Sequence, residues 1–222
     1  REGSCPTKGG LMPFKGRNAA SAGFRSSQEE YDPAGRHKKK GVVTMNTVDC
    51  IKTRRSVRKF TEEKVPHEVL EQLVELSRWA PSWKNTQIAR YVAVEDEALK
   101  SRIAEEATIP WNEGIIKGAP VLMVMTYVEK RSGFERDGSF STTKGDRWQN
   151  FDCGVAAATF GLAAHELGLG SVVLGIFDEK KLAELLELPE GMGVACLMPL
   201  GYPAEEPAAP KRKEVADLLS VK

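Results

Sequence analysis

The chain has 222 residues, of which 41% are hydrophobic and 28% charged, enough apolar material for one domain with a full core. Its formal net charge of +1 is uneven: residues 1–44 hold nine Lys/Arg against four Asp/Glu, leaving 23 against 27 in the rest, and a mildly acidic body excludes the broad basic face that nucleic-acid backbones require. No apolar run approaches the ~20 residues of a membrane span, and Cys5, Cys50, Cys153 and Cys196 form neither a Cys-x-x-Cys pair nor a disulfide framework; the expectation is a cytoplasmic protein with no membrane or nucleic-acid partner.

Residues 1–44 carry seven glycines and no sustained period, so they are expected to be a disordered or non-native extension that cannot offset its ordering entropy. Glu29, Glu30 and Asp32 argue against a transit peptide. Patterning begins at Met45, the expected start of a domain over 45–222. Val48 and Ile51 suggest a short amphipathic helix leading into Arg54-Arg55-Ser56-Val57-Arg58-Lys59-Phe60. Pro66 opens a second helix, with Val69, Leu70, Leu73, Val74 and Leu76 at helical spacing and Pro81 beyond its end. That helix delivers the chain into a turn, Ala80-Pro81-Ser82-Trp83-Lys84-Asn85-Thr86-Gln87.

Residues 91–94 read as a strand, and Asp96 as the cap of a helix carrying Leu99, Ile103 and Ala104. The nearly continuous apolar run at 121–128 predicts a central strand buried on both faces. A polar stretch at 129–145 reads as a mobile loop. Residues 151–167 form an Ala- and Gly-rich helix whose small side chains allow close approach in the core or at a subunit interface. Gly168-Leu169-Gly170 ends it, 171–175 is a strand, Asp178 caps a helix with Leu182, Leu185 and Leu186, and 194–200 is the last strand. A Pro-rich segment then leads to Lys211-Arg212-Lys213. The fold class is α+β or mixed α/β, a small sheet flanked by helices.

Two segments carry chemistry. The heptad 54–60 packs four cations and a hydroxyl together, suited to a phosphate dianion through charge-assisted hydrogen bonds. The turn at 81–87 is dense in amides and hydroxyls. As isolated features, the heptad reads as a solvated helix face and Trp83, Trp111 and Trp148 as packing aromatics; acceptor-pocket aromatics are their functional alternative. His67 and His165 fall in helical segments, and no His/Cys/Asp spacing suggests a metal. Cys153 and Cys196 read as buried small hydrophobes.

Four blocks in order resemble the nitroreductase family of FMN-dependent oxidoreductases: Arg54-Arg55-Ser56-x-Arg58-x-Phe60, Ala80-Pro81-Ser82-x-x-Asn85-x-Gln87, Gly168-Leu169-Gly170-Ser171 with Leu174-Gly175-Ile176-Phe177-Asp178, and Leu200-Gly201-Tyr202-Pro203 followed by basic residues. The similarity covers about residues 46–216. It implies an α+β sandwich with a mostly antiparallel sheet, built as an intertwined homodimer with FMN in the interface and NADH or NADPH as electron donor. By motif position, it implies that Arg54, Arg55, Ser56 and Arg58 contact the phosphate, ribityl chain and pyrimidine edge of FMN. Asn85 and Gln87 lie near the isoalloxazine ring, with Pro81 and Ser82 shaping a turn from the partner chain. Leu174 and Gly175 line the ring, the Gly175 backbone near N5, and Arg212 and Lys211 reach the phosphate.

The implied activity is ping-pong transfer of hydride from NAD(P)H, through FMN, to a nitroaromatic, a quinone or a similar small electrophile, with no catalytic side chain beyond the cofactor and no metal. A fixed cation at the N1/C2=O edge would stabilise the negative charge that reduction places there. Reductive dehalogenation, flavin fragmentation and a non-catalytic flavin-binding or redox-sensing role are the alternatives. The chain departs from the family pattern at Ile88-Ala89, where many members have Pro-Trp, and this bears on the acceptor space rather than on the cofactor.

Overall fold

A computed structural model describes the backbone of residues 36–39 and 42–222, with side chains from Met45 onward. Most of the expected N-terminal extension lies outside the described residues. Within its last part, β1 (Arg36–Lys39) pairs antiparallel with β2 (Val42–Met45). No strand was expected there, although Val42, Val43 and Thr44 form a β-branched run of the kind that favours one.

The main sheet follows from two runs with almost no polar residues, β4 (Val121–Val128) and β6 (Met192–Gly201). They pair antiparallel at the centre, between β3 (Ala89–Val94) and the two-residue edge strand β5 (Gly170–Ser171), in the order β3-β4-β6-β5. The pleat divides their side chains into two cores. Val121, Met123 and Met125 pack on one face against α2 (His67–Ser77) and α5 (Arg147–Glu166); Leu122 and Val124 face α3 (Glu97–Ala107), α4 (Pro110–Lys117) and α6 (Glu179–Leu185) on the other. A register shift between Met125 and Thr126 lets Val194 and Leu197 share the second core although their positions differ in parity. The result is an α+β sandwich with an antiparallel sheet.

Local rules account for the helices. Asp96 and Asp178 cap α3 and α6, their carboxylates accepting from the Leu99 and Lys181 amides at 2.7 and 3.0 Å. Helix α5 runs 20 residues, with Ala156, Ala157, Ala163 and Ala164 buried against the sheet. Helix α4 was not anticipated: it is short, and it begins at Pro110 after Ile109, with no capping side chain. The stretch at 129–145 carries internal contacts. A Phe134–Phe140 bridge and the Glu135 N–H donated to Ser139 O at 2.8 Å fold it into a turn.

The arginine heptad follows helix α1 (Thr47–Thr53) and is clamped on two sides. On one, Val57 N–H donates to Ser171 O at 3.1 Å, and Ser56 bridges Ser171 in parallel fashion. On the other, Thr61 N–H donates to Tyr202 O and Ala204 N–H to Lys59 O, both at 2.9 Å. This close approach needs Gly170, because a Cβ there would meet the Val57 side chain at 2.7 Å. Gly170→Ala is expected to cost about 1–3 kcal/mol through overpacking, read as a shift in urea midpoint with unchanged slope; an unchanged midpoint would mean that Val57 does not press on β5.

Candidate functional site

The start of the heptad opens into a cleft of about 870 Å³ whose lining includes Arg54, Arg55, Gly161, His165, Ser171 and Glu205, but neither Ser56 nor Arg58. Arg55 Nη1 donates to Lys52 O at 2.7 Å and to its neighbour's carbonyl, Arg54 O, at 3.0 Å, which holds the guanidinium at the end of α1. Arg58 is exposed, its Nη1 donating to Ser56 O at 3.3 Å. Its backbone N–H donates to Glu205 Oε1 at 2.8 Å and so bolts the segment after β6 to the heptad. Thr53 donates its only hydroxyl proton to Asp49 O at 2.7 Å; its 2.8 Å contact with His165 therefore takes the proton from the histidine Nε2–H.

The turn at 81–87 is conformationally unusual. Lys84, Asn85 and Gln87 have φ of 43°, 54° and 49°, three non-glycine residues in the left-handed region within four positions, a choice that costs energy unless the surroundings fix it. The fixing groups are visible. Gln87 N–H donates to Ser82 Oγ at 2.9 Å, and Gln87 Nε2 donates to Asn85 Oδ1 at 3.2 Å. Trp83 N–H reaches both oxygens of Asp152, at 3.1 and 3.0 Å; Ser132 Oγ donates to Asp152 Oδ2 at 2.5 Å and contacts Thr86 Oγ1 at 2.6 Å. Asp152 is only 3% exposed, so its charge is borne by these donors.

A second cleft, about 610 Å³, lies beside this turn and is lined by residues that include Arg78, Pro81, Ser82, Gln87, Tyr91 and Asp152. Ile88 and Ala89 line it too, so the positions that depart from the family pattern put aliphatic groups at this wall. Next to the turn, Trp83 and Trp148 pack at 4.5 Å between ring centroids and Trp148 meets Phe151 at 5.4 Å, while Lys84 Nζ pairs with Glu135 Oε1 at 2.8 Å. Trp111, 78% exposed, is on α4, across the sheet from this cluster. Burial pushes the Tyr91 hydroxyl and the Cys153 and Cys196 thiols up to about 12, which keeps both thiols protonated and unreactive near neutral pH.

The two clefts share no lining residue, and α5 separates them. Asp152 and Ala156 line the turn cleft, Gly161 and His165 the arginine cleft. At about 100° per residue, each pair is displaced from the other by nine residues, or about 180° around the helix axis. The two walls read from the sequence thus sit on opposite sides of α5 in one chain.

Leu174 is buried and exchanges both backbone hydrogen bonds with Leu197, at 2.8 and 3.0 Å. Gly175 follows it into open space, where a Cβ would meet nothing within 4 Å. Lys211 and Arg212 are exposed and line neither cleft. Sequence reasoning missed Asp152, Ser132, His165 and Glu205 as site neighbours. For Asp152 a signal existed: it is a carboxylate at a position whose helical neighbours Gln149, Cys153 and Ala156 are all buried. No group of three or more His, Cys, Asp or Glu side chains among the described residues could hold a metal.

Known proteins resemble this chain in sequence and in fold. A profile of the Nitroreductase family matches residues 51–202. An FMN reductase [NAD(P)H] of Bacillus subtilis is 33% identical over 168 residues, 71% of this chain and 66% of that protein. An iodotyrosine deiodinase of Thermotoga neapolitana is 28% identical over 75% of this chain and 94% of its own length. A Desulfovibrio desulfuricans protein solved in complex with FMN superposes with a TM-score of 0.64 at 26% identity, covering 81% of this chain and 98% of that one. With the profile spanning both the arginine heptad and the left-handed turn, the chain belongs to the nitroreductase family.

Proposed function

We propose that two copies of this chain hold FMN between them and use it to pass electrons from NAD(P)H to a small electrophilic acceptor. The observation that carries this reading is the placement of the two walls on opposite sides of α5. A single flavin touched by both the heptad and the turn takes one from each chain, which makes the site a property of a dimer. The exposed apolar positions agree with such a partner: Val48 and Ile51 on α1, Phe151 on α5, and Val215, Leu218, Leu219 and Val221 at the C-terminus are all more than half exposed.

The residues present fit FMN. Arg54, Arg55 and Ser56, with Arg58, supply guanidinium and hydroxyl donors for the phosphate, the ribityl hydroxyls and the pyrimidine edge. Lys211 and Arg212 add cations from the C-terminal segment. Asn85 and Gln87 present exposed amides from the partner's turn, shaped by Pro81 and Ser82. Leu174 and Gly175 would line the ring, with open space at Gly175 for it to approach the backbone near N5. Bound there, FMN would supply the two-electron carrier between NAD(P)H and the acceptor, with hydride received at N5. Around it the protein orients the ring and places fixed positive charge at the pyrimidine edge, which favours the reduced form. Three described cysteines are free thiols, in keeping with a cytoplasmic setting.

Nitroaromatics and quinones are the leading acceptor class. Reductive dehalogenation is the second reading, favoured by the deiodinase relative and by the Trp83–Trp148–Phe151 strip beside the turn. Purified protein is expected to carry close to one FMN per chain and to bleach anaerobically with NADH or NADPH; protein that stays colourless after reconstitution would sink the proposal. A panel of nitroaromatic, quinone and iodophenol acceptors then ranks the two classes. Arg54→Ala is expected to weaken FMN binding by about 1.5–3 kcal/mol, the cost of a lost charge-assisted contact. Equal affinities in a fluorescence titration would place the phosphate elsewhere.

A further inference from the structure

We infer that Asp152 is the positioning residue of the left-handed turn, setting Asn85 and Gln87 against the flavin through a hydrogen-bond chain of fixed direction; this rests on the reading that the turn faces FMN. An ionised carboxylate only accepts. Ser132 therefore spends its one proton on Asp152 Oδ2, and the 2.6 Å contact between Ser132 and Thr86 takes its proton from Thr86 Oγ1. The chain runs Thr86 to Ser132 to Asp152, and Trp83 N–H completes it from the other side of the turn. Trp83 and Thr86 bracket Lys84 and Asn85, and Gln87 follows directly, so the carboxylate grips the turn on either side of two of its left-handed residues and next to the third.

Local bonds alone do not reach outside the turn. Ser82 ties Gln87, and Gln87 ties Asn85, but each of these contacts can rotate with the turn as a unit. The Asp152 chain, together with the packing of Trp83 on Trp148, refers the turn to α5, and α5 is packed into the main core through Cys153, Ala156, Ala157 and Phe160. One turn earlier on the same helix face, Gln149 Oε1 accepts from Lys130 N–H at 2.6 Å, so α5 also fixes the start of the 129–145 segment. Ser132 belongs to that segment, and Lys84–Glu135 joins it to the turn a second time. The turn and the segment beside it thus share one buried charge.

The test compares Asp152→Ala, Asp152→Asn and Ser132→Ala with the parent, and uses Phe160→Leu as a core variant that lowers stability without touching the chain. In Asp152→Asn the amide oxygen still accepts from Trp83 N–H and the amide nitrogen donates to Ser132, which can then donate to Thr86, so the geometry survives with the direction reversed. Two readouts are taken: amide hydrogen exchange across 82–87 without added flavin, and FMN affinity together with the visible spectrum and midpoint potential of the bound flavin.

Asp152→Ala is expected to speed exchange at 83–87, to weaken FMN binding by at least about tenfold, and to move the potential and the spectrum. Ser132→Ala shifts them less, and Asp152→Asn stays within about twofold of the parent. Phe160→Leu lowers the melting temperature but leaves potential and spectrum alone. Parental exchange and FMN binding in Asp152→Ala, or effects matched by Phe160→Leu, overturn the role of Asp152. Faster exchange with unaltered FMN binding overturns the link to the flavin. A parent that binds no FMN removes the flavin reading itself and with it this role, while its exchange data still report on the turn.

Discussion

Helix α5 sets both the spacing of the main core and the position of the two clefts. Its buried apolar face is almost entirely small, with Ala156, Ala157, Ala163 and Ala164 against the sheet and Phe160 as its one large apolar side chain. That economy of bulk brings α2 and the central strands close enough to bury Leu73, Met123, Met125 and Met198 together. The same helix carries Asp152 toward the turn and Gly161 and His165 toward the arginines. Substituting its alanines with larger residues would therefore disturb the core and both clefts at once.

The energetic tension lies in the turn. Three left-handed non-glycine residues cost of order 1–3 kcal/mol each, although asparagine carries less of this penalty than lysine or glutamine. Burying a carboxylate costs several kcal/mol unless it is fully bonded. One set of hydrogen bonds offsets both costs, because Asp152 finds its donors in Trp83 of the turn and in Ser132 beside it, and the turn finds its anchor in Asp152. Neither is stable in this arrangement without the other, and the pairing leaves the Asn85 and Gln87 amides exposed and oriented rather than buried in a cheaper conformation.

Where pattern and context agreed, the fold could be read from the chain alone. The apolar run of β4, the caps Asp96 and Asp178, the 3.6-residue period of α2 and the small-residue helix α5 all carry local signals that their surroundings reinforce. Helix α4 and the shortness of β5 lacked such signals, and the 36–45 hairpin carried only the short β-branched run at 42–44; β5 ends after Ser171 because only Gly170 and Ser171 pair with β6, leaving Leu174 to a single bridge. The candidate site was legible as two motifs but not as an arrangement. Asp152 meets Trp83 across 69 residues and Ser132 across 20, contacts that no local spacing encodes. The separation of the walls by α5 became visible only once the helix phase was known.

That separation makes the sharing of each site between chains the central claim, and subunit complementation tests it most directly. One chain carries Arg54→Ala with Arg55→Ala, the other Asn85→Ala with Gln87→Ala; each is purified alone and as a differently tagged heterodimer. If each flavin takes its arginines from one chain and its turn from the other, both homodimers lose FMN while the heterodimer regains one intact site, with half the parent's flavin content. A heterodimer as empty as the two homodimers would contradict the account, because it would mean that both walls of each site come from the same chain.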